Sequence, residues 1–223
     1  MLVSCQELKK QYMADHQPVL AADGINLDIA ENDFLTILGH SGSGKTTLLS
    51  LIGGLTTPDS GKVLIRGVDT WAGTDVEVSR VRNETIGFVF QFASLLPTLT
   101  VHENLLLPLS FGGAQAGSSE KADALLEEVG ILEKRNSFPA ELSGGQQRRV
   151  AIARAFMNDP QIVLADEPTG DLDETTEREI MEFFYRRHEQ GATFVIVTHN
   201  SQLAHGHKGL RVLNMKIGSL QEQ

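Results

Sequence analysis

A chain of 223 residues with 41% apolar and 22% charged side chains is long enough for one large domain with its own core and has an ordinary globular make-up. No stretch approaches the ~18 consecutive apolar residues of a membrane-spanning helix, and 19 basic against 29 acidic residues, net −10, argue against a general affinity for nucleic acid. The single Cys5 rules out an internal disulfide and lies in an apolar, strand-like opening, and Met1 is followed by neither a basic nor a long apolar segment. A buried thiol and a cytoplasmic location are the expectations.

Residues 1–38 read as strands, because Ile25, Leu27 and Ile29 alternate with polar neighbours and Phe34 to Leu38 is a short apolar run. That run stops at Gly39, and a glycine-rich turn leads into a helical pattern through Leu48, Leu49, Leu51 and Ile52, ended by Gly53 and Gly54. Further strands are predicted at 61–67 and 86–90, joined by a charged, helical connection containing Arg80, Arg82 and Glu84. From Phe92 to Met157 strand signals fade and helices are expected at 100–109, 120–131 and 143–158, with 112–119 the most linker-like stretch. Thr100 with Glu103, and Ser143 with Gln146, have the spacing of capping boxes. Strands return at 161–165 and 192–198, separated by a charged helix at about 174–189. Strands alternating with helices predict an α/β fold on a mainly parallel sheet, as a single domain over 1–223 with a mostly helical subdomain at about 92–157.

The strongest chemical signal is Gly39-His40-Ser41-Gly42-Ser43-Gly44-Lys45-Thr46, which satisfies G-x-x-x-x-G-K-[ST] between a predicted strand and a predicted helix. Glycines let successive N–H groups turn inward on phosphate oxygens, and the helix that follows adds the positive end of its dipole. Lys45 is then expected to reach the β- and γ-phosphates, and Thr46 to supply a hydroxyl for Mg²⁺. The second signal is Ile162-Val163-Leu164-Ala165 followed by Asp166 and Glu167, two carboxylates at the C-terminal end of a buried strand, where open α/β sheets place ligands. Asp166 would hold Mg²⁺ through its water shell, and Glu167 would orient or deprotonate the water attacking the γ-phosphorus. Together these two signals say nucleoside triphosphatase and no more.

Leu142-Ser143-Gly144-Gly145-Gln146 narrows the class, because it resembles the signature sequence of ATP-binding cassette (ABC) proteins. Physically, Ser143 and the two glycines open a helix whose unbonded N–H groups form a second anion site. The rest of the cassette follows in register. Gln91 resembles the Q-loop glutamine that touches Mg²⁺ and the attacking water, Gly170-Asp171-Leu172-Asp173 resembles the D-loop, and His199 resembles the switch histidine that contacts the γ-phosphate. Tyr12 resembles the aromatic that stacks on adenine, and Thr47 completes the nucleotide-binding set. The resemblance runs from Leu2 to about Leu220 and implies a P-loop nucleotide-binding core, an N-terminal antiparallel β subdomain and an inserted helical subdomain.

Within the family, residues 86–91, 95–101 and 103–104 look like the lipoprotein-release and macrolide-efflux type, with the cell-division group close. Thr46 where serine is commoner, His40, and Asn200 where an acidic residue often follows the histidine are the departures. The family implies ATP and Mg²⁺ as ligands, a head-to-tail pair of chains sharing two ATP, integral-membrane permease partners, no nucleic acid, and a peripheral place on the cytoplasmic face of the inner membrane. An ATPase that transmits force without transport is the main alternative expectation, and a DNA-repair ATPase is the weaker one, since no long coiled-coil insertion or basic surface is present. His205, His207 and Lys208 read as a solvated loop rather than a metal site. The acidic run between Asp166 and Glu189 reads as an exposed helix face.

Overall fold

The computed structural model describes every residue except 15, 112–116, 171, 205–208 and 223. Val3, Cys5 and Leu8 alternate inward along β1 (Val3–Ala14) and face Ile25, Leu27 and Ile29 of β2 (Gln17–Ile29), so the two strands pair as an antiparallel hairpin with one buried side. β3 (Phe34–Leu38) is buried along its whole length and runs through the glycine turn into α1 (Lys45–Ile52). β4 (Ser60–Ile65) returns to pair with the other edge of β1, and β5 (Val68–Asp69) closes this four-stranded sheet in the order β2-β1-β4-β5. Cys5 is 2% exposed, and its thiol is pushed up to about 12 by burial, with the charge of Asp28 adding to the effect.

The charged connection after β5 is α2 (Asp75–Thr85), opened by a Thr74–Glu77 capping box, and it leads into β6 (Ile86–Val89). The helices that follow are α3 (Val101–Ser110), α4 (Ser118–Glu128) and α5 (Gly144–Ala155), with short 3₁₀ turns at Leu132–Lys134 and Pro139–Glu141 and no helix over 92–100. Both expected capping boxes form: Thr100 with Glu103 starts α3, and Ser143 with Gln146 starts α5. Most of the linker-like stretch, 112–116, lies outside the described residues, as do His205, His207 and Lys208.

β7 (Ile162–Asp166), α6 (Glu174–Glu189), β8 (Thr193–Thr198), β9 (Leu210–Lys216) and β10 (Ser219–Glu222) complete a six-stranded sheet in the order β10-β9-β3-β8-β7-β6, parallel except for the edge strand β10. Its central strands are apolar on both faces, which is why they read as continuous runs. Phe34, Val163, Phe194 and Ile196 pack toward α5 and α6, while Leu35, Ile37, Leu164, Val195 and Val197 pack toward α1 and the antiparallel sheet. β9 and β10 went unforeseen because only Leu213 and Met215 of β9 are fully buried, too short an alternation to stand out. Among the described residues no helix is long and apolar enough to cross a membrane.

The parallel register has one consequence for chemistry: the C-terminal ends of β3, β6, β7 and β8 share one edge of the sheet. The glycine turn, Gln91, Asp166–Glu167 and Thr198–His199 all leave the sheet there.

Candidate active site

The turn after β3 is shaped by backbone that side chains disfavour. Gly42 and Gly44 have φ of 78° and 106°, and a Cβ at Gly44 would sit 2.0 Å from the Ala21 carbonyl oxygen, so the loop lies against β2 only with glycine at that position. Lys45 is 7% exposed, and its Nζ donates to the carbonyl oxygens of Gly39 (2.6 Å) and His40 (3.1 Å), which holds the ammonium inside the curl of the loop. Ser43 Oγ is buried and has no hydrogen-bond partner among the described residues. A curl of main-chain N–H groups, an enclosed ammonium and an unsatisfied hydroxyl fit a phosphate chain.

Across the cleft, Thr46 Oγ1 donates to Asp166 Oδ2 at 2.7 Å, joining residues 120 positions apart. A hydroxyl beside a buried carboxylate fits Mg²⁺, which takes few protein ligands and completes its shell with water and phosphate oxygens. Burial raises the Asp166 carboxyl above its ordinary range; the Thr46 hydrogen bond pulls it partly back, and the neighbouring charge of Glu167 pushes it up again. An ionised Asp166 therefore costs more in the folded chain than in the unfolded one. The stability linked to this group is present below the ordinary carboxylate pKa and lost as pH rises through the folded value. Asp166→Asn is accordingly expected to raise the melting temperature at neutral pH in chelator, a gain that fades as pH falls toward about 4, while ATP hydrolysis collapses. Calorimetry across pH and a phosphate-release assay check the two halves separately.

Glu167 follows directly, with φ of 45°. This left-handed conformation is strained for a residue with a Cβ, by about 1 kcal/mol, and such strain is found where a site needs it. The turn is held by Glu167 N–H to Val197 O (2.9 Å) and Gly170 N–H to Glu167 O (3.1 Å). It places the carboxylate against the end of β8: Thr198 Oγ1 donates to Oε2 at 2.8 Å, and His199 Nδ1 lies 2.9 Å from Oε1. The cleft so formed, about 540 Å³, is lined by Ser41 to Thr47, Gln91, Arg148, Asp166, Glu167, Gly170 and His199 with Ala21.

Ser143, Gly145 and Gln146 line a second cleft of about 440 Å³, together with Leu172, Asp173 and Thr176 at the start of α6. Ser143 Oγ accepts from Gln146 N–H (3.3 Å) and Gln146 Oε1 from Ser143 N–H (2.9 Å), a cap that fixes the helix start and leaves the remaining first-turn N–H groups directed outward. Tyr12 is in neither lining. It lies 43% exposed on β1, opposite Val19, with Lys10 Nζ 5.6 Å from its ring centroid.

The family model for ABC transporters matches residues 22–170, two thirds of the chain. The chain belongs to that family. The cassette is 42% identical to the lipoprotein-releasing system ATP-binding protein LolD of Syntrophus aciditrophicus, over 91% of this chain and 92% of that one. It is equally 42% identical to the macrolide export ATP-binding/permease protein MacB of Syntrophobacter fumaroxidans, but there 91% of this chain spans only 29% of the relative's length. Among solved structures, the dimeric, post-hydrolysis ATP-binding cassette MJ0796 bound to ADP and Pi superposes with a TM-score of 0.91 at 39% identity, over 99% and 98% of the two chains. This chain is thus an ABC ATPase with the family's α/β fold.

Thr198, Arg148 and Arg154 leave little or no trace in the sequence pattern. Thr198 is 1% exposed and was read only as the end of a strand, although a polar residue closing an apolar run is a signal of contact with a site. Arg148 had no signal at all. It lies on the inner face of α5, 8% exposed, and its guanidinium donates to Phe90 O (2.5 Å) and to Gln91 O. Six residues further along, Arg154 donates to Ala93 O and Ser94 O, both at 2.9 Å. Asn104 of α3, fully buried, accepts from Leu96 N–H (2.8 Å) and donates toward the carbonyls of Leu96, Leu99 and Thr100 at 2.9–3.1 Å. The segment after β6 is therefore gripped by its main chain from two helices of the 101–155 region.

Proposed function

We propose that this cassette is the ATP-driven subunit of a membrane complex. It would work as a head-to-tail pair in which each ATP lies between the phosphate loop of one copy and the signature helix of the other. The observation that carries this reading is that the two phosphate-directed ends of the chain line separate clefts with no residue in common among the described residues. One chain holds the start of one pocket and the finish of another.

In the first cleft, Lys45 exchanges its carbonyl partners for the β- and γ-phosphates, and the loop N–H groups from Ser41 to Thr47 orient the phosphate chain. Thr46 and, through water, Asp166 are the residues that would hold Mg²⁺, with Gln91 at the rim; when bound, the ion neutralises phosphate charge. Glu167 accepts the proton of the attacking water, with Thr198 and His199 fixing its carboxylate. Tyr12 would stack on adenine from the β1–β2 hairpin. The partner's Ser143, Gly144, Gly145 and Gln146 present the start of their helix to the same γ-phosphate.

Docking is best supported at an apolar groove of about 510 Å³ beside the gripped segment, where Phe88 and Phe90 stack with ring centroids 5.3 Å apart and Phe111 is 82% exposed. An integral-membrane permease would insert a short helix or loop there, placing the cassette peripherally on the cytoplasmic face. By likeness to the LolD and MacB relatives, the work is export or extraction of a lipoprotein, lipid or drug-like cargo. The test is to purify the tagged chain from detergent-solubilised membranes of its source. An integral-membrane protein should co-purify in near-stoichiometric amount and be lost from Phe111→Glu. Recovery with DNA instead, or a membrane protein retained by the variant, overturns the reading.

A further inference from the structure

Asn200 follows the His199 that faces Glu167, and every polar group it owns is committed. Its backbone N–H donates to Thr198 Oγ1 at 3.0 Å, and that hydroxyl passes its own hydrogen to Glu167 Oε2 at 2.8 Å. Its side-chain Oδ1 accepts from the N–H of Gln202 at 3.0 Å, while Nδ2 reaches both oxygens of Glu177 at 3.2 and 3.4 Å. A main-chain N–H only donates and a carboxylate only accepts, so these partners admit one orientation of the amide.

Glu177 lies in the first turn of α6, and its N–H donates to Asp173 O at 2.9 Å. Asp173 caps that helix, accepting from Thr175 and Thr176 N–H (3.1 and 3.0 Å) and from Thr176 Oγ1 (2.7 Å). Asp173 and Thr176 line the second cleft. A series of hydrogen-bonded residues, joined in part through the main chain and in part through side chains, thus runs from that cleft through Asp173, Glu177, Asn200 and Thr198 to the carboxylate assigned as base in the first.

We infer that Asn200 is a positioning residue for hydrolysis: its side-chain amide holds Glu177 of α6 while its backbone N–H holds Thr198 against Glu167, so the anchored loop keeps that carboxylate in line. This rests on Glu167 serving as base. An aspartate at residue 200 offers no hydrogen and would set a second carboxylate against Glu177, pushing the histidine loop off its partner and Glu167 off line. The cost falls on turnover rather than on nucleotide binding, since neither Asn200 nor Glu177 lines the first cleft.

The experiment compares steady-state ATP hydrolysis by the parent chain, Glu167→Gln, Asn200→Asp, Asn200→Ala and the double variant Asn200→Asp with Glu177→Gln. Asn200→Asp is expected to lose about tenfold in kcat with KM for ATP within about twofold, and Asn200→Ala about threefold, the scale of a lost or opposed hydrogen bond at a positioning group. The double variant, in which a glutamine amide can donate to the new aspartate, is expected to return to within about threefold of the parent. Parity of Asn200→Asp with the parent, or a loss that Glu177→Gln leaves unrepaired, overturns the inference. Where the parent hydrolyses ATP and Glu167→Gln does not, such an outcome leaves Glu167 as base untouched. An active Glu167→Gln would instead remove both.

Discussion

Replacing Glu167 with glutamine is expected to lower ATP turnover by about 10²-fold or more while nucleotide binding persists, the usual scale for loss of a positioned base. The substitution keeps the shape of the site: glutamine can still accept from Thr198, and the φ of 45° at this position is no harder for glutamine than for glutamate. What it removes is the charge proposed to take the proton from water. Phosphate release under saturating ATP measures the loss, and equilibrium nucleotide binding shows that the cleft is intact. The variant should also accumulate as an ATP-bound pair, visible as a doubled mass by light scattering, because the step that separates the two copies no longer follows binding. Near-normal turnover would take the role of base away from Glu167.

Arginine in place of Ser143 is expected to abolish ATP-driven pairing, with hydrolysis falling by more than about tenfold and monomer affinity for ATP unchanged within about twofold. The cap between Ser143 and Gln146 would be lost, at about 1 kcal/mol of helix stability. That cost is minor beside the larger effect: a long side chain fills the mouth of the second cleft, where the neighbour's γ-phosphate has to enter. Among the described residues the first cleft shares no lining residue with it, so binding to the single chain is spared. Circular dichroism and a melting curve separate loss of fold from loss of pairing. An unchanged ATP-dependent dimer would count against the two-copy pocket.

The parts of this site that could be read in the sequence are those whose chemistry demands a fixed spacing along the chain. Gly39 to Thr46 must be contiguous to curl, and Asp166 and Glu167 must follow a buried strand to reach the same edge. The parallel sheet then does the joining, so Thr46 meets Asp166 although neither residue names the other. The capping boxes were legible for the same local reason. Arg148 and Arg154 were not, because a long side chain chooses its carbonyl partners in three dimensions and leaves no period behind. Asn200 stood out only as a departure from the family pattern, and its bond to Glu177 crosses between two elements that propensity cannot place side by side. Tyr12 lies on β1 with its ring beside Lys10, outside the lining of the first cleft.

The grip on the stretch after β6 has an evolutionary corollary. Within that stretch Arg148, Arg154 and Asn104 hold main-chain carbonyls, which every amino acid supplies, and the Leu96 N–H, which every amino acid but proline supplies. The side chain of Phe92, with 77% of its surface open, is therefore free to change without loosening that grip, whereas Ser94, at a φ of 48°, is held to residues that tolerate the left-handed region. A change of side chain at Phe92 alters the surface the cassette presents there while the backbone beneath it keeps its course.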